Sequence, residues 1–236
     1  MPAGIIVNVL AVALGGSAGA LLGRRMPEKL RGDLTQIFGI CSLGMGIQAV
    51  TQMQNMPAVI LSVVLGTAIG LLCGLGSRIE RGAAAMMRPF VHKAGPDGGR
   101  LQMMVTVLVL FCASGTGIYG CLDLGMTGDS TVLISKSVLD LFTAAVFGCT
   151  VGPAVALVAL PQLAVFLLLF FGARLILPLA TPVMIADFKA CGGFLLLATA
   201  FRVAKIREFP IADMIPAMVL AMPMSWLWVQ YIAPLL

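Results

Sequence analysis

The chain has 236 residues, of which 60% are hydrophobic and 11% charged, with a mean hydropathy of +1.05 and a formal net charge of +5. A soluble domain carries about 25% charged residues, so this composition excludes a water-soluble globular protein. The charge is too small, and too free of interleaved aromatics, for a nucleic-acid partner; the expected partner is the lipid bilayer.

A helix crossing the hydrocarbon core needs about 20 apolar residues. Apolar segments run near 4–22, 35–52, 57–76, 101–120, 131–150, 154–176, 188–203 and 211–232. They predict an all-α polytopic membrane protein with about eight transmembrane helices in one integral membrane domain, residues 1–236. The first segment has no basic stretch before it and is followed by Arg24 and Arg25. A cleaved signal peptide has the reverse charge order, so this segment is expected to be the first span. The connector Ser77–Arg100 reads as a surface segment with an amphipathic turn at Ala83–Phe90. Spans five and six are divided only by Gly148, Gly152 and Pro153, and Pro161, Pro216 and Pro223 are expected to kink their helices.

Lys and Arg stay on the cytoplasmic side of a membrane. Three loops hold 12 of the 15 basic residues: Arg24 to Arg31, Arg78 to Arg100, and Arg202 to Arg207. With eight spans all three fall on one side, which puts both termini outside. The predicted external loop Cys121–Ser130 then carries Asp123 and Asp129 and no basic residue, and Trp226, Trp228 and Tyr231 form an aromatic belt at the outer end of span eight.

A weak internal repeat overlies Gly39-Ile-Cys-Ser-Leu-Gly-Met-Gly-Ile on Gly192-Gly-Phe-Leu-Leu-Leu-Ala-Thr-Ala, and Met56-Pro57 on Phe209-Pro210. It predicts repeat units near 4–76 and 154–232, spans one to three and six to eight, flanking central helices near 101–150. The offset is five spans, an odd number, so the repeats are inverted. Inverted repeats are a hallmark of secondary transporters, which use them to alternate access.

The polar residues within spans are the candidate site. In Gly128-Asp-Ser-Thr-Val-Leu-Ile-Ser-Lys-Ser-Val-Leu-Asp140, Asp129 or Ser130 can cap span five, and Lys136 and Asp140 lie one turn apart on one face. Asp140 sits ~15 Å from the cap, near mid-membrane. Ser137 and Thr143 complete a polar stripe. An ionised group at that depth costs ~2.5–3.5 kcal/mol on insertion scales, so it needs a partner or a polar pathway. Two readings stay open: a closed structural ion pair, or a solute or ion site in which Asp140 takes a cation or proton and Lys136 is the internal counter-charge. Asn8 serves packing or substrate, Gln162 is a polar contact beside Pro161, and Ser114-Gly-Thr116-Gly invites an unwound stretch in span four. Arg174, Asp187 and Lys189 suit a rim. Gly15, Gly19 and Gly23, and Gly66, Gly70 and Gly74, are small-residue stripes for helix packing. The six cysteines have no ligand spacing and read as packing residues, the lone His92 falls in a polar loop, and no metal or cofactor motif is present.

On Asn8…Gly15-Gly16, the Gly128-Asp-x-x-x-Leu-x-x-Lys-x-x-Leu-Asp140 stretch and Gly192-Gly193-Phe-Leu-Leu, the chain resembles the bacterial inner-membrane family catalogued as domain of unknown function 554. The family usually follows the glutamine of span six with glycine, whereas Gln162 precedes Leu163, which weakens any break there. The resemblance implies a multispanning plasma-membrane protein, a transport protein by a name sometimes given to the family, and no established substrate.

The expectation is a small secondary transporter or ion-coupled permease, not an enzyme, acting on a small solute or ion through Asp140, Lys136, Ser137, Thr143, Asn8, Ser114, Thr116 and Gln162. The alternatives are a passive ion or small-solute channel, in one form a homodimer packed through the glycine stripes, and a non-transporting scaffold with a structural Lys136–Asp140 pair.

Overall fold

The computed structural model describes residues 2–22, 27–91 and 98–235; Gly23, Arg24, Arg25, His92 and Lys93 lie outside the described residues. The described elements are all helical: α1 (Ala3–Leu22), α2 (Glu28–Val50), α3 (Met56–Cys73), α4 (Leu75–Val91), α5 (Gly98–Cys112), α6 (Gly115–Thr127), α7 (Thr131–Val151), α8 (Ala154–Leu157), α9 (Ala159–Ile176), α10 (Pro182–Val203) and α11 (Ile215–Leu227). Seven stretches are long and apolar enough to cross a membrane: α1, α3, α5–α6 together, α7, α8–α9 together, α10, and Ile211–Leu235. Their outward faces are apolar, as lipid requires; α1 exposes Leu10, Leu14 and Leu21 at 54%, 64% and 87%.

The helices gather into two compact units. The first holds residues 1–35 and 77–174, the second 36–76 and 175–236. In the first unit α1 runs beside α7 in the same direction. Along their length Gly4 faces Ser130, Gly15 faces Leu141 and Gly19 faces Ala145, a constant register that only parallel helices keep. α2, a 23-residue helix with Glu28, Lys29, Arg31 and Asp33 in its first two turns, covers the second expected span but is not among the seven.

The backbone approach of α1 to α7 depends on glycine. A Cβ at Gly15 would lie 2.1 Å from the Leu141 carbonyl oxygen, and one at Gly19 2.0 Å from that of Ala145. In the second unit α2 and α10 pair antiparallel (Gly39 on Ala204, Gly46 on Leu197, Gly193 on Val50), and α3 and α11 do the same through Gly66 on Ala217 and Gly70 on Asp213. Gly15 and Gly19, and Gly66 and Gly70, are therefore used for packing inside the chain. Gly19→Ala is expected to destabilise by about 1–3 kcal/mol through overpacking, whereas Gly44→Ala, whose Cβ would meet nothing within 4 Å, leaves the thermal midpoint in detergent unchanged or slightly raised. Equal midpoints for the two variants would contradict the close pairing.

Several local expectations need correction. The Cys121–Ser130 segment is not a loop: α6 continues to Thr127, and the connection is Gly128–Ser130, with Gly128 in the left-handed region at φ 79°. Span four thus runs to Thr127 and is broken inside, at Ala113–Ser114. The connector after α3 is not a single amphipathic turn but the helix α4, with Arg78 and Arg81 exposed and Ala83 buried in the first unit's core, a pattern that suits a helix lying in the interface. The expected proline breaks are where the helices change: span six is interrupted at Val158, between α8 and α9 and three residues before Pro161, and span eight passes from a 3-10 turn at Ile211–Met214 into α11 just before Pro216, with Pro223 inside α11.

Candidate functional site

The buried polar residues of the first unit converge from three helices. Asn8 on α1 and Gln162 on α9 are 0% exposed, and Lys136 and Asp140 on α7 are 3% and 7% exposed. Lys136 lies one turn before Asp140 and donates from Nζ to Asp140 Oδ2, forming a buried ion pair. Asn8 Nδ2 donates to the same Oδ2 at 2.9 Å, and Gln162 Nε2 donates to Asn8 Oδ1 at 2.8 Å. The donors run in one direction, from Gln162 through Asn8 to the carboxylate, with Lys136 closing from the other side.

The sequence explains why these groups meet. The parallel α1–α7 register fixed by Gly15 and Gly19 holds Asn8 alongside Asp140. Ala159, Gln162, Phe166, Phe170 and Ala173 form the buried face of α9, and each follows a buried residue of α1 (Ile5, Asn8, Val12, Gly16 and Gly19) by the same 154 residues. The Lys136 ammonium sits 5.7 Å from the centre of the Phe111 ring on α5, within cation–π range. The pair carries one positive and one negative charge, so the site is electrically balanced as built. One atom is left over: Gln162 Oε1 is a buried acceptor with no donor in the structure.

The other sequence candidates do not join this network. Ser137 is buried on α7, but its hydroxyl donates to the Leu133 carbonyl at 2.6 Å. Thr143 is half-buried one turn beyond Asp140. Ser114 caps α6, accepting from Gly117 N at 3.1 Å, and thereby satisfies the break in span four; Thr116 is buried in the turn it opens. Asp129 Oδ1 accepts from Thr131 N at 2.9 Å at the start of α7, the capping role expected of Asp129 or Ser130. Among the described residues no group of three or more His, Cys, Asp or Glu is placed to hold a metal ion.

Two buried carboxylates escaped the sequence reading. Asp187, expected on a rim, is 0% exposed in the second turn of α10. It accepts from the backbone amides of Gln54 and Asn55 at 2.8 and 2.9 Å, from Asn55 Nδ2 at 2.8 Å and from Ser225 Oγ at 2.6 Å. It thus holds the two amides that precede α3 and ties the α2–α3 turn to α10 and α11. Asp123, expected in a loop, is 1% exposed on α6. It hydrogen-bonds Tyr119 one turn before and accepts from Thr127 Oγ1 one turn after, at 3.0 Å.

The family model described as "Protein of unknown function (DUF554)" matches residues 3–226, and the chain belongs to that family. It is similar to "Uncharacterized protein YqgA" of Escherichia coli (strain K12), 47% identical over 235 residues, which covers 99% of this chain and 100% of the relative. It is also similar to "Uncharacterized membrane protein YdfK" of Bacillus subtilis (strain 168), 23% identical over 217 residues, 92% of this chain and 93% of the relative. No solved structure matches.

Proposed function

We propose that this member of the family is a small secondary transporter or ion-coupled permease of the bacterial inner membrane, with its site at Asp140, Lys136, Asn8 and Gln162. The observation that carries the proposal is the buried network itself. A lysine, a carboxylate and two amides at the core of an apolar bundle are expensive to insert, and a scaffold gains nothing from them that apolar packing would not supply.

The inverted repeat supports the same reading. Asn8 and Gln162 are separated by 154 residues, close to the spacing of the Gly39 and Gly192 segments. They are counterparts in the two repeats, and they bond to each other beside Asp140. Each compact unit contains helices of both repeats, α1 with α9 in the first and α2–α3 with α10–α11 in the second. This is the composition expected of two bodies that alternate access by exchanging equivalent conformations. The basic loops put both termini on the external side.

A specific observation favours a second reading. Lys136 and Asp140 are neighbours on one helix and already neutralise each other, so the protein can be a scaffold in which the pair is structural. The test is thermal stability of the detergent-purified protein across ions, amino acids and small organic acids, with Asp140→Asn in parallel. The transport reading expects at least one solute to raise the midpoint of wild type and not of the variant. A flat panel for both would favour the scaffold.

A further inference from the structure

The buried Gln162 Oε1 has no donor, which is uncommon enough in a folded interior to need a cause. Its neighbours offer one. Asn8 and Gln162 both carry an amide and both are 0% exposed; Asn8 bonds the Asp140 carboxyl, and Gln162 bonds Asn8. They occupy equivalent positions of α1 and α9, whose buried faces coincide at a spacing of 154 residues. The two helices also run in opposite directions. α6 and α9 are parallel, since Gly117 meets Phe166 and Gly125 meets Phe170 and Ala173. α6 turns back into α7 across Gly128–Ser130, and α7 is parallel to α1. The amide pair therefore sits where an axis relating the two repeats would pass.

We infer that Asn8 and Gln162 form a two-position hydrogen-bond switch that holds Asp140 in each of two equivalent states; the inference rests on the alternating-access reading. In the position seen here Gln162 Nε2 donates to Asn8 Oδ1, and Asn8 Nδ2 donates to Asp140. In the other, Asn8 Nδ2 donates to Gln162 Oε1, and Gln162 Nε2 becomes the donor to Asp140. Each position has one amide–amide bond and one amide–carboxylate bond, and each leaves one amide oxygen over. In the first that oxygen is Gln162 Oε1; in the second it is Asn8 Oδ1. The two positions exchange the same kinds of bond, as a bistable element must if a few kcal/mol of ligand binding is to move it. The unpartnered oxygen is the acceptor kept vacant for the other position.

The test is hydrogen–deuterium exchange on the full chain in lipid nanodiscs, comparing wild type with Asn8→Leu and Gln162→Met. Asn8→Leu removes the donor to Asp140 in the position seen here, and Gln162→Met removes the donor to Asp140 in the other. The switch predicts several-fold changes of opposite sign in the two variants. Exchange rises at one end of the first unit, residues 3–8 and 127–133, in one variant, and at the opposite end, residues 17–22 and 148–158, in the other. The exchanged pair Asn8→Gln/Gln162→Asn returns both ends toward wild type. Changes of the same sign in both single variants, or none, overturn the switch. If Asn8→Leu does not fold, Asn8→Ser, which shortens the reach to Asp140, carries the same prediction. Asp140-dependent solute stabilisation measured on the same samples shows whether transport survives a failed switch.

Discussion

Replacing Asp140 by alanine is expected to lower stability by about 3–5 kcal/mol, the cost of leaving one member of a buried ion pair without its partner. Lys136 is 3% exposed, and its only counter-charge within ion-pair distance among the described residues is Asp140. Asn8 also loses its acceptor. The double variant Lys136→Met/Asp140→Leu removes both charges, so it is expected to recover most of that loss, the remainder being the buried Asn8 donor left without its acceptor. Thermal unfolding of the three proteins checks the pattern. A double variant as unstable as Asp140→Ala would mean that the pair is not compensating a buried charge. The double variant matters for function, because it supplies a folded protein without the site.

The second large effect is expected at Asp187. Alanine there removes an acceptor that serves four donors, two backbone amides, the Asn55 side chain and Ser225. Hydrogen bonds to a charged group contribute about 1.5–3 kcal/mol each. The amides of the α2–α3 turn are only part-buried and recover water, whereas Ser225 is 0% exposed and does not. A net loss of about 3–5 kcal/mol follows, with amide exchange rising first at residues 52–56. Asp187→Asn keeps one acceptor oxygen and is expected to lose less. Unchanged exchange at that turn in Asp187→Ala would contradict its role as the anchor of the α2–α3 turn.

What could be read from the sequence follows from how local the signal is. Lys136 and Asp140 stand out because ionised residues four apart in an apolar helix have no local excuse, and Asn8 and Gln162 because amides in lipid need partners. The glycines and hydroxyls of Ser114–Gly117 announced the break in span four. Asp187 was misplaced because its donors, Gln54, Asn55 and Ser225, lie in other helices, and nothing near Asp187 in sequence marks it as buried. Asp123 was misplaced although a signal existed: Tyr119, Asp123 and Thr127 recur at helical spacing, a self-satisfied polar face that keeps a helix going where two aspartates suggested a loop. The second apolar segment, 35–52, was legible, whereas the charged first two turns of α2, from Glu28 to Thr35, hid where that helix begins. The correspondence of Asn8 with Gln162 was hidden because the repeat was anchored on glycine and proline, and the meeting of the two amides requires the fold.

The most direct test of the central claim is solute flux in proteoliposomes, comparing wild type with the folded Lys136→Met/Asp140→Leu variant, for whichever solute stabilises the wild type. Transport through this site predicts gradient-driven uptake by wild type and background uptake by the variant at equal reconstitution. Equal uptake by the two proteins would contradict it and leave the buried pair as a structural element of the first unit.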